Sequence, residues 1–264
     1  MSVRPIALVS LDGLQLEATL HEAQGVSPMG GVVLAHGITV DLNEGGMFVR
    51  LAERLAGIGL CALRFSFRGH GQSAGTQRGV TIAGEMLDFE SAVERMRAEM
   101  SGPIAIVAAS FGAVATTLCL PFLEPVVSAL ALWNPVLDLR KTFLEPELPW
   151  GFQNFGQAQR AVLKRQGGLR VDDAFELGRV LFEEFAQYEP GAAFVASQLP
   201  ALIVHGDKDS YVSYDVARAA AGRHPQCAFH TITGSEHGFD SREREDEAIA
   251  VTVDWLRRHL VAVK

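Results

Sequence analysis

A serine flanked by small residues closes the run IVAASFGA, where Ser110 lies between Ala108 and Gly112. The apolar residues before it have the character of a buried strand, and those after it the character of a helix. A strand that turns straight into a helix leaves no room for large side chains two residues to either side of the junction. Such a turn lifts the Ser110 hydroxyl above the sheet edge, and the helix N-terminus behind it directs backbone N–H groups to the same point. A serine hydroxyl is a poor nucleophile at neutral pH; it needs a general base, and the base needs an orienting acid. ALIVHGDKDS ends a second buried run with Asp207 and Asp209, and TITGSEHGFD sets His237 between Gly234 and Gly238. Serine, acid and histidine in that chain order are one of the known ways to assemble an acyl-transfer site. Asp209 is the favoured acid; Asp207 is placed to brace its own turn, and Asp138 is a more distant choice. The oxyanion would take the N–H of Phe111, which follows the serine, and of Ile38 in AHGIT, where Gly37 permits an unusual turn. The Ile38 side chain would then line the pocket.

Two further motifs lead elsewhere. GHGQSA (69–74) fits a dinucleotide fingerprint, but Gly75 and Gly79 intervene before the next helical stripe, and Glu90 and Glu94 fall inside that helix instead of ending a strand. Asp207 and Asp209 form a D-x-D pair with no histidine or carboxylate at ligand spacing beside it. The reading therefore has no metal and no cofactor.

The elements that must position these residues alternate. A hairpin over 6–10 and 14–20, broken at Asp12-Gly13, opens the chain. Continuous apolar runs at 31–35, 60–65, 104–109, 126–133, 201–205 and 227–232 suit strands buried on both faces. Helical stripes lie between them, clearest in Ile82, Met86, Phe89, Val93, Met96 and Met100. Alternation of this kind predicts an α/β chain with a mostly parallel sheet and helices on both faces. The rhythm stops at Asn134 and resumes near residue 199. The spacing thus predicts a core over 1–133 and 199–264, with a helical cap inserted over 134–198. Nine of the 21 aromatic residues fall inside that insertion, which makes it the source of an apolar or aryl-accepting wall; Trp150 and Phe152 are the wall candidates.

Composition narrows the classes. The chain has 264 residues, 48% of them hydrophobic and 20% charged, enough for one large folded domain and too apolar for disorder. Its formal charge of −8 and lack of basic blocks argue against nucleic-acid partners. No apolar run approaches the roughly 20 residues of a membrane span, so no membrane insertion is expected. Cys61, Cys119 and Cys227 are sparse and unpaired in spacing, which suits reduced thiols and a cytoplasmic protein. The expected partner is a small-molecule ester; among protein partners, a homodimer with a second copy is the one left open.

Taken together, AHGIT, RFSFRGHGQSAG, AASFGA, VHGDKDSYVS and GSEHGF resemble the α/β-hydrolase superfamily over nearly the whole chain. Within it the set resembles capped serine hydrolases related to cinnamoyl and feruloyl esterases, monoacylglycerol lipases and the serine-aminopeptidase-like group. It implies an eight-stranded α/β-hydrolase sheet, a Ser110–Asp209–His237 triad, and cleavage of carboxylic esters with an apolar acyl or aryl group through an acyl-enzyme. Two positions depart from the pattern: Ala108 replaces the first elbow glycine, and Ser66 stands where many relatives carry Asp. AASFGA and NPVLDLRKTF also look like bacterial acyl-carrier thioesterases, so a thioesterase or acyltransferase is the alternative. A peptidase, with Glu145, Glu147, Glu183 or Glu184 as amine anchors, and a non-catalytic ligand receptor are the others.

Overall fold

The continuous apolar runs fold as central strands because both faces of each are covered. The computed structural model describes residues 2–25 and 27–260. Strands β1 (Val3–Pro5), β2 (Leu8–Val9), β3 (Gln15–Leu16) and β4 (Ala18–His21) open the chain, with β2 and β3 paired as a hairpin. The α/β alternation follows: β5 (Gly30–Ala35), α1 (Met47–Gly57), β6 (Leu60–Phe65), α2 (Ile82–Glu99), β7 (Ile104–Ala109), α3 (Gly112–Leu123) and β8 (Ala129–Trp133). After β8 come α4 (Pro149–Phe155), α5 (Gln157–Gln166), β9 (Gly168–Val171), β10 (Phe175–Gly178), α6 (Arg179–Glu184) and α7 (Pro190–Ala196). The chain ends with β11 (Ala201–Gly206), α8 (Tyr214–Arg223), β12 (Cys227–Ile232) and α9 (Arg242–Leu260).

Eight strands form one sheet in the order β1-β4-β6-β5-β7-β8-β11-β12. It is parallel from β6 to β12, and antiparallel where β1 meets β4 and β4 meets β6. Side chains alternate between two cores. Val33 and Ala35 of β5, with Ile106 and Ala108 of β7, face α2, α3 and α8. Val32 and Leu34, with Ala105 and Val107, face α1 and α9. The crossover from β5 leads to β6 on one side, while β7 pairs on the other. Their carboxyl ends therefore flank a topological switch point, where such sheets open a crevice for ligands.

Residues 134–198 build a third cluster above those ends, from Phe143, Phe155, Phe175, Leu181 and Phe185. Two features differ from a purely helical insertion. The β9–β10 hairpin lies inside it, with Leu169 and Val171 opposite Leu177 and Phe175. Its turn places both Asp172 and Asp173 at positive φ (50° and 53°), a left-handed pair that Asp tolerates better than most residues. At the other end, α7 belongs with the main core, since Phe194 packs among the residues facing α3 and α8. Among the described residues, no helix is long and apolar enough to cross a membrane.

The tightest joint between elements is at Gly112, in the first turn of α3. A Cβ there would lie 2.5 Å from the carbonyl oxygens of both Ala35 and His36 at the end of β5. Gly112→Ala is expected to cost about 2 kcal/mol or more, a fall in Tm of roughly 4–8 °C for a chain of this size. Gly57→Ala, where nothing lies within 4 Å of the added carbon, should hold or raise Tm. Thermal denaturation of the two variants side by side checks both.

Candidate active site

The turn from β7 into α3 forces Ser110 to φ 48°, the left-handed region that a non-glycine residue enters only at a cost. The surrounding backbone enforces it: the Ser110 N–H donates to the Trp133 carbonyl (2.8 Å), and the Ser110 carbonyl accepts the N–H of Val136 (3.0 Å) and Ala113 (3.2 Å). Ala108 is fully buried in β7 beside Ala35, so the departure from glycine is absorbed within the strand.

Ser110 Oγ lies 3.0 Å from His237 Nε2, and His237 Nδ1 lies 2.7 Å from Asp209 Oδ2. Three residues far apart in the chain thus form one hydrogen-bonded series. Asp209 is saturated: Oδ1 accepts the N–H groups of Tyr211 (2.9 Å) and Val212 (2.8 Å), and His205 Nε2 reaches Oδ2 at 3.2 Å. Burial alone would raise this carboxyl, but the charge of His237 and the hydrogen bonds of the two imidazoles outweigh it and hold Asp209 well below the carboxylate range. Asp207 faces away and accepts the Gly234 N–H (2.5 Å), bracing the loop that carries His237. Asp138 caps the following turn through the Lys141 N–H. The D-x-D pair is therefore split between two tasks.

The loop after β5 is held peptide by peptide. His36 Nε2 accepts the Phe67 N–H (2.9 Å), so its Nδ1 carries the proton and donates to the Gly37 carbonyl (2.7 Å). Burial holds this imidazole well below its ordinary value, in keeping with that neutral form. A trans peptide points its carbonyl and N–H in opposite directions, so a Gly37 carbonyl turned to His36 turns the Ile38 N–H away from it. The next carbonyl, that of Ile38, lies 2.8 Å from His70 Nε2. His70 belongs to GHGQSA, a run that serves this loop through that contact. Neither the Ile38 nor the Phe111 N–H meets an acceptor among the described residues. Ser66 braces the same loop from below: it accepts the Leu42 N–H (3.1 Å) and donates to Glu17 (2.9 Å), so a Ser–Glu pair supplies a brace at this position.

Ser110, Phe111, Ile38 and His237 share one cavity of about 250 Å³. Val136, Phe143, Trp150, Tyr211 and Val212 make its apolar walls. Trp150 is where the sequence suggests. Phe152 is not: it is 58% exposed on the outside of the cap. Two residues apart on α4, Trp150 and Phe152 point to opposite faces, and Trp150 takes the inner one. Sequence reasoning missed Tyr211, whose ring stacks between Trp150 (5.2 Å) and His237 (4.9 Å); its place two residues after Asp209 was the available signal. It also missed Glu44. Its carboxylate accepts the Gly37 N–H (2.7 Å) and lines the cavity. Burial raises the carboxyl against the pull of Gly37 and His237, to about 7. None of the suggested amine anchors lines the cavity: Glu145, Glu147 and Glu183 pair with Arg140, Lys141 and Arg179, and Glu184 accepts the Ile82 N–H.

Residues 26–170 match the family described as serine aminopeptidase, S33. No curated protein sequence matches. Solved structures share the fold at low identity. Est1E from Butyrivibrio proteoclasticus, determined with ferulic acid bound, is 20% identical over 97% of this chain and 99% of that one, with a TM-score of 0.82. The esterase domain of a Rhodothermus marinus protein is 20% identical over 98% and 100%, TM-score 0.73. The Pyrococcus furiosus esterase Pf2001 is 18% identical over 98% and 91%, TM-score 0.74.

The electrostatics of His237 can be checked directly. Burial disfavours its charged form, but Asp209, with Glu44 and Glu236 adding, favours it more and raises its pKa above the ordinary imidazole value. The ring should therefore titrate above an ordinary exposed imidazole. Asp209→Asn removes the largest opposing charge, so the midpoint should fall below that of the unmodified protein. Histidine NMR titration of both proteins measures the two midpoints.

Proposed function

We propose that this chain, which belongs to the serine aminopeptidase S33 family within the α/β-hydrolase superfamily, is a serine hydrolase that cleaves carboxylic esters of a short or single-ring acid. The observation that carries the reading is the unbroken series from Ser110 Oγ through His237 to Asp209, opening on an apolar cavity with two free backbone N–H groups beside it. In the first half-reaction Ser110 Oγ attacks the ester carbonyl carbon and its proton passes to His237 Nε2. The carbonyl oxygen becomes an oxyanion held by the Ile38 and Phe111 N–H groups. Collapse expels the alcohol, which leaves with the proton from His237. Water then gives a proton to His237 and attacks the acyl-enzyme, and the acid departs as Ser110 recovers its hydrogen. Asp209 keeps the imidazole in the required tautomer and stabilises its charged form.

The cavity supports the acyl preference. About 250 Å³ walled by Val136, Phe143, Trp150 and Val212 suits a short acyl or one aryl ring under the cap. Est1E, a protein of the same fold, holds ferulic acid, a single-ring acid. The carboxyl groups lining it are those of Glu44, Asp172 and Glu245. An acidic lining favours neutral esters over the anionic carriers of a thioesterase. A peptidase is the second reading. The family's description favours it, and so does the carboxylate of Glu44 facing the cavity, which could receive a free amine.

A panel of p-nitrophenyl esters of rising chain length, a cinnamate ester, a matched thioester and an aminoacyl anilide separates these readings. Turnover is expected on short and aryl esters, falling for long acyl chains, with the thioester and anilide slower. A fluorophosphonate probe should label the native protein and leave Ser110→Ala unlabelled, and that variant should lose at least about 10⁴-fold in kcat with Tm retained. Asp209→Asn should cost about 10³- to 10⁴-fold and Asp207→Asn far less. Turnover of the anilide alone would select the peptidase, and equal labelling of Ser110→Ala would end the serine mechanism.

A further inference from the structure

Glu44 occupies a position that its residue type does not favour. It opens three successive left-handed residues, at φ 46°, 61° and 95°, and the other two are Gly45 and Gly46. Glycine adopts that conformation freely, whereas a residue with a Cβ is strained in it. The strain brings a carboxylate to one place: Oε2 takes the Gly37 N–H at 2.7 Å, across the mouth of the loop that Gly37 begins. A Cβ on Gly37 would lie 3.2 Å from Ser110 Cβ and 3.7 Å from both Glu44 oxygens, so the glycine backbone is enclosed between the serine and the carboxylate.

The consequence lies in which amides are left free. Gly37 has the widest backbone freedom of any residue type, and the peptides on both sides of it would otherwise rotate about its φ and ψ. Glu44 fixes the N–H of the first peptide and His36 fixes the carbonyl of the second. Of the two N–H groups in these peptides, that of Ile38 is then the one left to point at a ligand. We propose that Glu44 is the positioning residue of the oxyanion loop: by holding the Gly37 N–H it locks the Ile38 amide in line with Ser110. The inference rests on the reading of Ser110 as the nucleophile and deepens it.

Such a role acts on the transition state, because the oxyanion forms only there. Glu44→Gly removes the acceptor and also relieves the backbone, so the variant should melt no lower than the native protein. Its kcat on a neutral p-nitrophenyl ester should fall by about 10- to 100-fold with KM within about twofold. Its affinity for a trifluoromethyl ketone, which adds to the serine as an oxyanion-bearing hemiketal, should fall by a similar factor. Glu44→Gln keeps an oxygen acceptor of the same reach and should recover most of the loss. Glu44→Gly with unchanged kcat overturns the proposal, and so does Glu44→Gln as slow as Glu44→Gly. A loss seen only on amine-bearing substrates also overturns it, since that marks an amine anchor. Fluorophosphonate labelling of Ser110 in each variant keeps the two readings apart: absence of labelling in the native protein defeats the nucleophile itself, whatever Glu44 does.

Discussion

The first turn of α3 approaches the end of β5 so closely that only a hydrogen fits on Gly112 between them. That approach sets the distance between the two ends that matter. One carries Ser110 and the Phe111 amide, the other Gly37 and the Ile38 amide. Because β5 and β7 are neighbours at the switch point of the sheet, their loops leave in adjoining directions and meet at one crevice. The left-handed Ser110 follows from the same constraint. With α3 pressed against β5, the chain has no longer path from strand to helix, and the strain at one residue is offset by a hydrogen bond from Ser110 to Trp133 and one from Val136 to Ser110.

Charge is distributed around that crevice by a similar economy of positions. Asp209 carries its negative charge in a buried site, which is tolerable because four donors converge on it. Asp207, two residues away, spends its carboxylate on the backbone of the histidine loop. The two side chains leave the end of β11 in different directions, and each secures His237 by a different means, one through the ring and one through the loop. Glu44 then adds a carboxylate within electrostatic reach of His237, and its elevated pKa follows from being withdrawn from water, which outweighs the pull of the Gly37 N–H and of His237.

Much of this was legible in the sequence, for reasons that differ by residue. The parallel strands were readable because burial on both faces removes polar residues from them, as in IAIVAA and ALIVH. Ser110, Asp209 and His237 were readable because each follows such a strand with small residues around it. The β9–β10 hairpin was not, since Asp172 and Asp173 resemble the start of an amphipathic helix until their left-handed φ angles are known. Phe152 was misassigned because composition counts aromatics without direction, whereas a helix turns residues two apart to opposite faces. Glu44 was invisible for another reason: its meaning depends on a contact with Gly37, and no periodicity or motif rule encodes a side chain that returns to cap its own loop.

The cap is more than a cover in this arrangement. Phe143 stacks on Phe185 at 4.2 Å, and both meet the ring of Phe111 edge-on. Phe111 follows Ser110 and lines the cavity, so the cap's aromatic core grips a side chain at the cavity floor. A second grip runs through Trp150 and Tyr211 to the face of His237, with Trp150 anchored to Asp172 at the hairpin turn (2.7 Å). The insertion therefore reaches both Phe111 and His237 through rigid rings, whose orientation cannot change without breaking their stacking. A displacement of the cap as a body would have to separate Phe143 from Phe111 and Trp150 from Tyr211 together. The apolar walls of the cavity and the polar geometry at its floor are thus one packing unit.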